Sequence, residues 1–208
     1  MSYIGNKPAN KPVVASDLDP TIITGQTALA AEPADTDEFL ISDAGVLKRL
    51  DASLIGGGKI LQVVNSDNEY DTTISATSYG DVLSASGTTW ETAITPAATS
   101  SKILVIASLA VNQSAASGAN EGRGKYQILR KIASGSYASI DEITYAGAYD
   151  YGGNGIVFGW HYPINILDTT NTTSAVTYKF QVAIYSGAEN VIINNLGFSR
   201  IQLIEVGA

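Results

Sequence analysis

Cysteine is missing from the 208 residues, so the chain carries no disulfide and no thiolate metal ligand. Positive charge is scarce as well, because 12 Lys and Arg face 20 Asp and Glu and leave a net charge of −8. A phosphate-binding surface needs clustered basic residues, so this balance argues against a nucleic-acid partner. No apolar run approaches the roughly 20 residues of a membrane helix, and residues 1–11 lack the hydrophobic segment of a signal peptide. We therefore expect neither membrane insertion nor a nucleic-acid partner.

Helical patterns are almost missing too, and residues 102–112 (KILVIASLAVN) illustrate what takes their place. This stretch is rich in β-branched and small apolar residues. One of its alternating faces is apolar throughout, and the other is apolar over the first half, at Leu104 and Ile106. Such a pattern predicts a central β-strand with something packed on each side, for example a neighbouring subunit.

Short β segments separated by turn residues recur from residue 59 to residue 206. They are predicted at residues 59–65, 70–77, 88–95, 102–112, 125–133, 139–145, 156–166, 176–185, 191–194 and 198–206. Roughly eight to ten strands within about 150 residues are typical of a β-sandwich of jelly-roll size. Pro163 lies within one of these segments and indicates an edge strand or a bulge there.

Residues 1–57 have a different character. Prolines at positions 8, 12 and 20 predict an extended, irregular arm. Residues 37–43 and 46–54 flank Ala44-Gly45, and Asp43-Ala44-Gly45 predicts a short β-hairpin turn with Gly in the left-handed conformation. A hairpin this small is not stable alone, so we expect it to be ordered by two further copies of the chain or by a host surface. The three glycines at 56–58 predict a hinge to the following domain.

Three stretches support a resemblance when taken together: SYIGNKPAN, the hairpin TDEFLISDAGVLKRLDASLI, and the pair KILQVV and TPAATSSKILVIASL. They resemble bacteriophage virion fibre proteins, particularly the short fibres of marine phages. The resemblance implies a homotrimer with an N-terminal segment that attaches to other virion proteins, a thin intertwined neck, and a jelly-roll head similar to tumour-necrosis-factor-like domains. The expected fold is all-β, with a virion-anchoring arm at 1–20, a β neck at 21–57 and a jelly-roll-like β-sandwich head at 58–208. Anchor candidates in the opening stretch are Tyr3, Ile4, Asn6 and Pro8.

Candidate catalytic and metal-binding residues are sparse. His161 is the single histidine and is expected to be a packed or surface residue rather than part of a triad. Two acidic clusters, at residues 35–38 and 67–71, offer oxygen ligands but lack the spacing of a calcium loop, so solvated turn acids are the favoured interpretation. A pair of carboxylates for glycoside hydrolysis has no distinguishing sequence context. We predict no catalytic residue, no metal site and no cofactor. The acids available for such a pair are Asp141, Glu142, Asp150 and Asp168.

Residues 145–162 (YAGAYDYGGNGIVFGWHY) combine aromatic rings with glycines, a composition suited to contacts with sugars or proteins. The alternative is that these rings are packed in the core or between subunits. As receptor-contact candidates we take Tyr145, Tyr149, Tyr151, Trp160 and Tyr162.

The sequence thus leads to the hypothesis of a non-enzymatic virion protein, a trimeric fibre that presents its head to a host-surface glycan or protein. Multivalent attachment would raise avidity without requiring a tight single contact. A capsid or tail decoration protein with no host-binding role is the first alternative. A tailspike-like enzyme that degrades polysaccharide is the second.

Overall fold

The computed structural model describes residues 25, 27, 33–34, 36–55, 60–115, 118, 121–149, 157–195 and 197–207, without the side chains at 47, 145, 148, 149 and 189. The chain divides into two compact units, residues 1–56 and 57–208, one residue from the head boundary expected from the sequence. The roles assigned to the arm, neck and head stay predictions. In the part of the chain that the structure describes, no helix has the length and apolar character of a membrane span.

The first unit contains the predicted hairpin. Strand β1 (Glu38–Asp43) pairs antiparallel with β2 (Val46–Asp51), and Asp43 lies opposite Val46. The two residues between them have positive φ, +50° at Ala44 and +83° at Gly45, which is the geometry of a two-residue type I′ turn. β2 ends earlier than predicted because residues 52–54 turn into a short 3₁₀ helix.

The second unit is built from eleven strands. They are β3 (Ile60–Asn68), β4 (Thr72–Ile74), β5 (Gly80–Asp81), β6 (Glu91–Ile94), β7 (Lys102–Ala115), β8 (Glu121–Ile132), β9 (Ala138–Tyr149), β10 (Val157–Asp168), β11 (Val176–Ser186), β12 (Ala188–Ile193) and β13 (Ser199–Val206).

These strands form two antiparallel sheets. In the first, β7 pairs with β10 on one side and with β13 and then β12 on the other, β3 pairs with β13, and β4 pairs with β12. In the second, β8 lies between β9 and β11, while β5 and β6 both pair with β11. The all-β, jelly-roll-like sandwich is therefore confirmed, and β7 is the central strand as predicted. Among the described strands β10 pairs with β7 alone, so Pro163 does lie on an edge strand.

The core lies between the two sheets and follows the period of two in each strand. On β7, residues 103, 105, 107, 109 and 111 are all buried and belong to this core. On β11 the inward residues are Val176, Tyr178, Phe180, Val182 and Ile184. The opposite face of β7 is only half covered at Leu104 and Ile106, which leaves the outer side of the first sheet partly apolar.

Candidate functional surfaces

The predicted receptor-contact set is only partly described, and one member of it is wrong. Tyr151 lies outside the described residues, and the side chains of Tyr145 and Tyr149 do too. Tyr162 is 1% exposed and belongs to the core, so its ring is inaccessible to a surface ligand. Burial raises the pKa of Tyr162, and nearby Asp141 raises it further.

Trp160 is half-buried rather than free on the surface. Its ring packs edge-on against Tyr126, with 5.5 Å between ring centroids, and lies 6.3 Å from the Tyr162 ring. Trp160 and His161 also line a cavity of about 290 Å³ with Ala110 and Gly159. Replacing Trp160 would therefore disturb packing as well as any contact that it makes.

The predicted anchor residues Tyr3, Ile4, Asn6 and Pro8 all lie outside the described residues. Their attachment role stays a prediction.

His161 is exposed, and its Nδ1 lies 3.0 Å from the hydroxyl of Ser108 on the neighbouring strand. Within the described chain no carboxylate is hydrogen bonded to this imidazole, so the geometry is that of a Ser–His pair on an open sheet face. A triad would need a third group to orient the ring.

Two of the carboxylates considered for hydrolysis, Asp168 and Glu142, accept hydrogen bonds from tyrosine hydroxyls. Asp168 is 8% exposed, pairs with Arg130 at 2.5 Å and accepts the hydroxyl of Tyr178 at 2.8 Å. Burial and the Asp168 carboxylate raise the pKa of Tyr178. Glu142 accepts the hydroxyl of Tyr79 at 2.5 Å. Asp150 lies outside the described residues.

The acidic turn at 67–71 is part of the fold. Asp67 forms two hydrogen bonds with Arg200, which lower the pKa of this carboxyl. Asn68 is buried and bonds to the backbone at Leu83 and Tyr70. No group of three metal-ligating side chains occurs among the residues that the structure describes.

An apolar row crosses the outer face of the first sheet. In the pairing register, residue 204 lies opposite residues 63 and 104, and residue 104 lies opposite residue 167. Val63 is 55% exposed and Leu167 is 55% exposed, while the two central members are half-buried. We call Val63, Ile204, Leu104 and Leu167 the outer row.

The next row of this sheet face is uncharged, with three amide side chains and one isoleucine. It is formed by Asn65, Gln202, Ile106 and Asn165 in register. The row after that contains the mutually paired Asp67 and Arg200. The sequence signal for this surface was the apolar second face of residues 102–112, but the cross-strand register that makes it continuous is not visible in any one segment.

The hairpin of the first unit also leaves large apolar side chains uncovered. Leu40 is 74% exposed, Val46 58%, and Phe39 42%. The ion pairs Asp43–Lys48 and Glu38–Arg49 are exposed, so they contribute little to its stability.

Comparison with known proteins gives only distant structural likenesses. No protein-family profile matches the chain, and no curated protein matches it. The Eiger TNF of S. frugiperda aligns with TM-score 0.38 and 9% identity over 72% of this chain and 94% of its own. Infectious bursal disease virus Gx strain aligns with TM-score 0.36 and 9% identity over 79% of this chain. The VP2 subviral particle of that virus aligns with TM-score 0.35 and 7% identity, also over 79% of this chain. This chain spans 40% and 42% of the two viral chains, and likenesses this distant do not bear on function.

Proposed function

We propose that this chain is a non-enzymatic structural protein of a virion: a homotrimeric fibre anchored through residues 1–20, with a neck at 21–57 and a sandwich head that meets the host surface. The proposal rests on the apolar surface that a single copy leaves uncovered on both units. The resemblance of three sequence stretches to phage fibres supports the virion setting.

The hairpin supplies the first step of the argument. Cross-strand pairing puts Phe39 opposite Leu50 and Ile41 opposite Lys48. Two strands alone are marginal in water, and this pair has no third strand in the described residues. Further copies of the same hairpin would cover Phe39 and Leu40 by the apolar contact that the single copy lacks.

The outer row supplies the second step, and the occupant that fits it is another copy of this chain. The row is apolar over the width of four strands. On one side it is bordered by a row of three amides and Ile106, with the Asp67–Arg200 ion pair beyond, and on the other side lies the exposed Lys102. Such a surface allows close approach of copies that each carry a net charge of −8. Closed assemblies of identical chains are the usual form of soluble oligomers.

The mass of the full-length protein in solution tests the assembly. Analytical ultracentrifugation is expected to give three times the 21.7 kDa of one chain. Leu167→Lys should shift the protein toward single chains, because it introduces a charge into the outer row. Val157→Lys is the matched control, since Val157 is 67% exposed and lies on the same face of the same strand. A single-chain mass for the unaltered protein, or equal dissociation by both variants, would contradict the proposal.

Adsorption of particles to host cells distinguishes a host-attachment role from a decoration role. Tyr149→Ala with Tyr151→Ala is expected to reduce binding of particles to cells at least several-fold while the melting temperature stays unchanged. Trp160 is left intact because it packs on Tyr126. Unchanged adsorption would favour the decoration protein, and release of reducing sugar from host polysaccharide would favour the enzyme.

Loss of particle incorporation after deletion of residues 1–20 would support the anchor.

A further inference from the structure

A cleft of about 580 Å³ is lined by residues other than those predicted from sequence to contact a receptor. One wall is residues 66–70, at the end of β3 and in the turn that follows it. The other wall is residues 84–85, and Trp90 also lines the space. Three segments that are separate in sequence therefore meet here.

Buried polar side chains hold the two walls together. The Nδ2 of Asn68 donates to the carbonyl of Leu83 at 2.9 Å, and the Oγ1 of Thr72 accepts from the Leu83 amide at 2.9 Å. Asn68 is 5% exposed and Thr72 is 3% exposed. Burying polar side chains is unfavourable unless their hydrogen bonds are made, so these contacts fix the spacing of the walls. Trp90 adds a bond from its Nε1 to the hydroxyl of Ser66 at 2.9 Å.

Tyr70 presents its ring from a backbone that is fixed on both sides. Its amide donates to Oδ1 of Asn68 at 3.2 Å, and its carbonyl accepts from Nδ2 of the buried Asn194 at 2.9 Å. The Tyr70 side chain is nevertheless 40% exposed. An aromatic ring held in this way contributes contact area to a ligand at a low entropic cost.

Side chains that line the cleft can still donate and accept hydrogen bonds. Because Trp90 occupies an acceptor position of the Ser66 hydroxyl, that hydroxyl can still donate. Among the described residues neither the Glu69 carboxylate nor the Tyr70 hydroxyl has a hydrogen-bond partner. Arg200 offsets the charge of Asp67, so Glu69 is the uncompensated charge in the lining. A ligand with an apolar face and several hydroxyls fits this combination, and a negatively charged one does not.

We propose that this cleft binds a neutral saccharide, with a pyranose ring against Tyr70 and its hydroxyls bonded to Ser66 and Glu69. The site goes beyond the virion-fibre function above and is formed within one sandwich, so it does not depend on trimer formation.

Tryptophan fluorescence gives a direct test because the chain has two tryptophans. In full-length Trp160→Phe, Trp90 reports from the cleft, and isothermal titration of the unaltered protein provides the same measurement without that substitution. The probes are glucose, galactose, mannose and N-acetylglucosamine, each raised to about 100 mM, because single-ring ligands of this size typically bind in the millimolar range. At least one should give a saturable signal, and glucuronate should give none.

Two variants locate the binding. Tyr70→Ala is expected to weaken it at least tenfold with no change in melting temperature, whereas Phe158→Ala, whose side chain is equally 40% exposed, should leave it unchanged. Glu69→Gln should relax the rejection of glucuronate. Absence of saturation with all four neutral sugars, or equal loss in Tyr70→Ala and Phe158→Ala, would overturn the saccharide site. A single-chain mass in the ultracentrifuge would overturn the trimer alone.

Discussion

The sandwich and the hairpin are built from the same kind of residue in the same kind of strand, yet they treat apolar side chains in opposite ways. In the sandwich, Leu109 on β7 and Leu203 on β13 are completely buried between two sheets. In the hairpin, Leu40 on β1 is 74% exposed, although its strand pairs in regular register. Pairing alone therefore gives a strand its shape, and a second layer is what gives it stability.

The outer row belongs to the sandwich but resembles the hairpin in this respect. Val63 and Leu167 lie on strands whose inner faces are well packed, and their own faces have no second layer within the described chain. Apolar side chains that the chain buries and apolar side chains that it leaves exposed thus occur on opposite faces of the first sheet. Substituting a buried apolar side chain and substituting an exposed one should therefore affect the stability of the sandwich differently.

Leucine truncation gives the largest expected contrast. Leu109→Ala should lower the free energy of unfolding by about 2–5 kcal/mol, because it leaves a cavity between tightly packed sheets. Leu40→Ala should leave the unfolding of the sandwich unchanged, because that side chain is already exposed. Chemical denaturation of the full-length protein, followed by tryptophan fluorescence, measures both.

The comparison would fail if Leu40→Ala lowered the stability of the sandwich as much as Leu109→Ala does. A decrease in assembly rather than in head stability is the expected signature of Leu40→Ala. Light scattering during the same denaturation would record that decrease.

A second contrast concerns the stability of the protein at low pH, where a buried carboxylate and an exposed one should behave differently. Glu205 has no exposed surface and accepts the Ala97 amide and the Gln62 side chain, each at 2.6 Å. Burial alone would raise the pKa of Glu205, but these hydrogen bonds outweigh it and the pKa is lowered. A lowered folded-state pKa means that the stabilisation is present above the ordinary carboxyl range and is lost as pH falls through the folded-state value.

Glu205→Gln should therefore reduce stability at neutral pH by about 1–3 kcal/mol, because the amide places a donor against an existing donor. It should also flatten the loss of stability below the ordinary glutamate pKa of 4.5. Glu69→Gln is the matched control, an exposed carboxylate with no hydrogen-bond partner among the described residues. Parallel pH profiles for the unaltered protein and Glu205→Gln would remove Glu205 as a source of the acid sensitivity.

The sandwich was largely predictable from sequence because its strands alternate regularly and are separated by turn residues. β5 was missed, since two residues carry no periodic signal. β8 and β9 run further than predicted, because β8 begins before Gly122 and Gly124 and β9 continues past Gly147. A Cβ at Gly147 would lie 2.0 Å from the carbonyl of Gly122, so glycine there reflects the close approach of two paired backbones.

The surfaces were less predictable than the strands. The glycine-rich composition around Tyr162 predicts a surface ring, but Trp160, Tyr162 and Ile164 share one alternating face, which is the inner one. This alternation is visible in the sequence, and it is a better guide to the burial of Tyr162 than the composition around it. The cleft was invisible because Asn68, Leu83 and Asn194 come together only in the folded chain.

The smallest expected effect concerns the turn of the hairpin and needs no partner to observe. Ala44 has φ of +50°, a conformation that strains a residue with a Cβ, whereas Gly45 at +83° has open space around it. Ala44→Gly should stabilise the hairpin by up to about 1 kcal/mol, and Gly45→Ala should destabilise it by a similar amount, because only the backbone conformation is at stake. Hydrogen exchange of the β1 and β2 amides in the full-length protein should slow in the first variant and accelerate in the second. Amides of β7 and β11 should exchange at unchanged rates in both, since the sandwich is stabilised by its own core; a parallel change in those strands would mean that the two units unfold together.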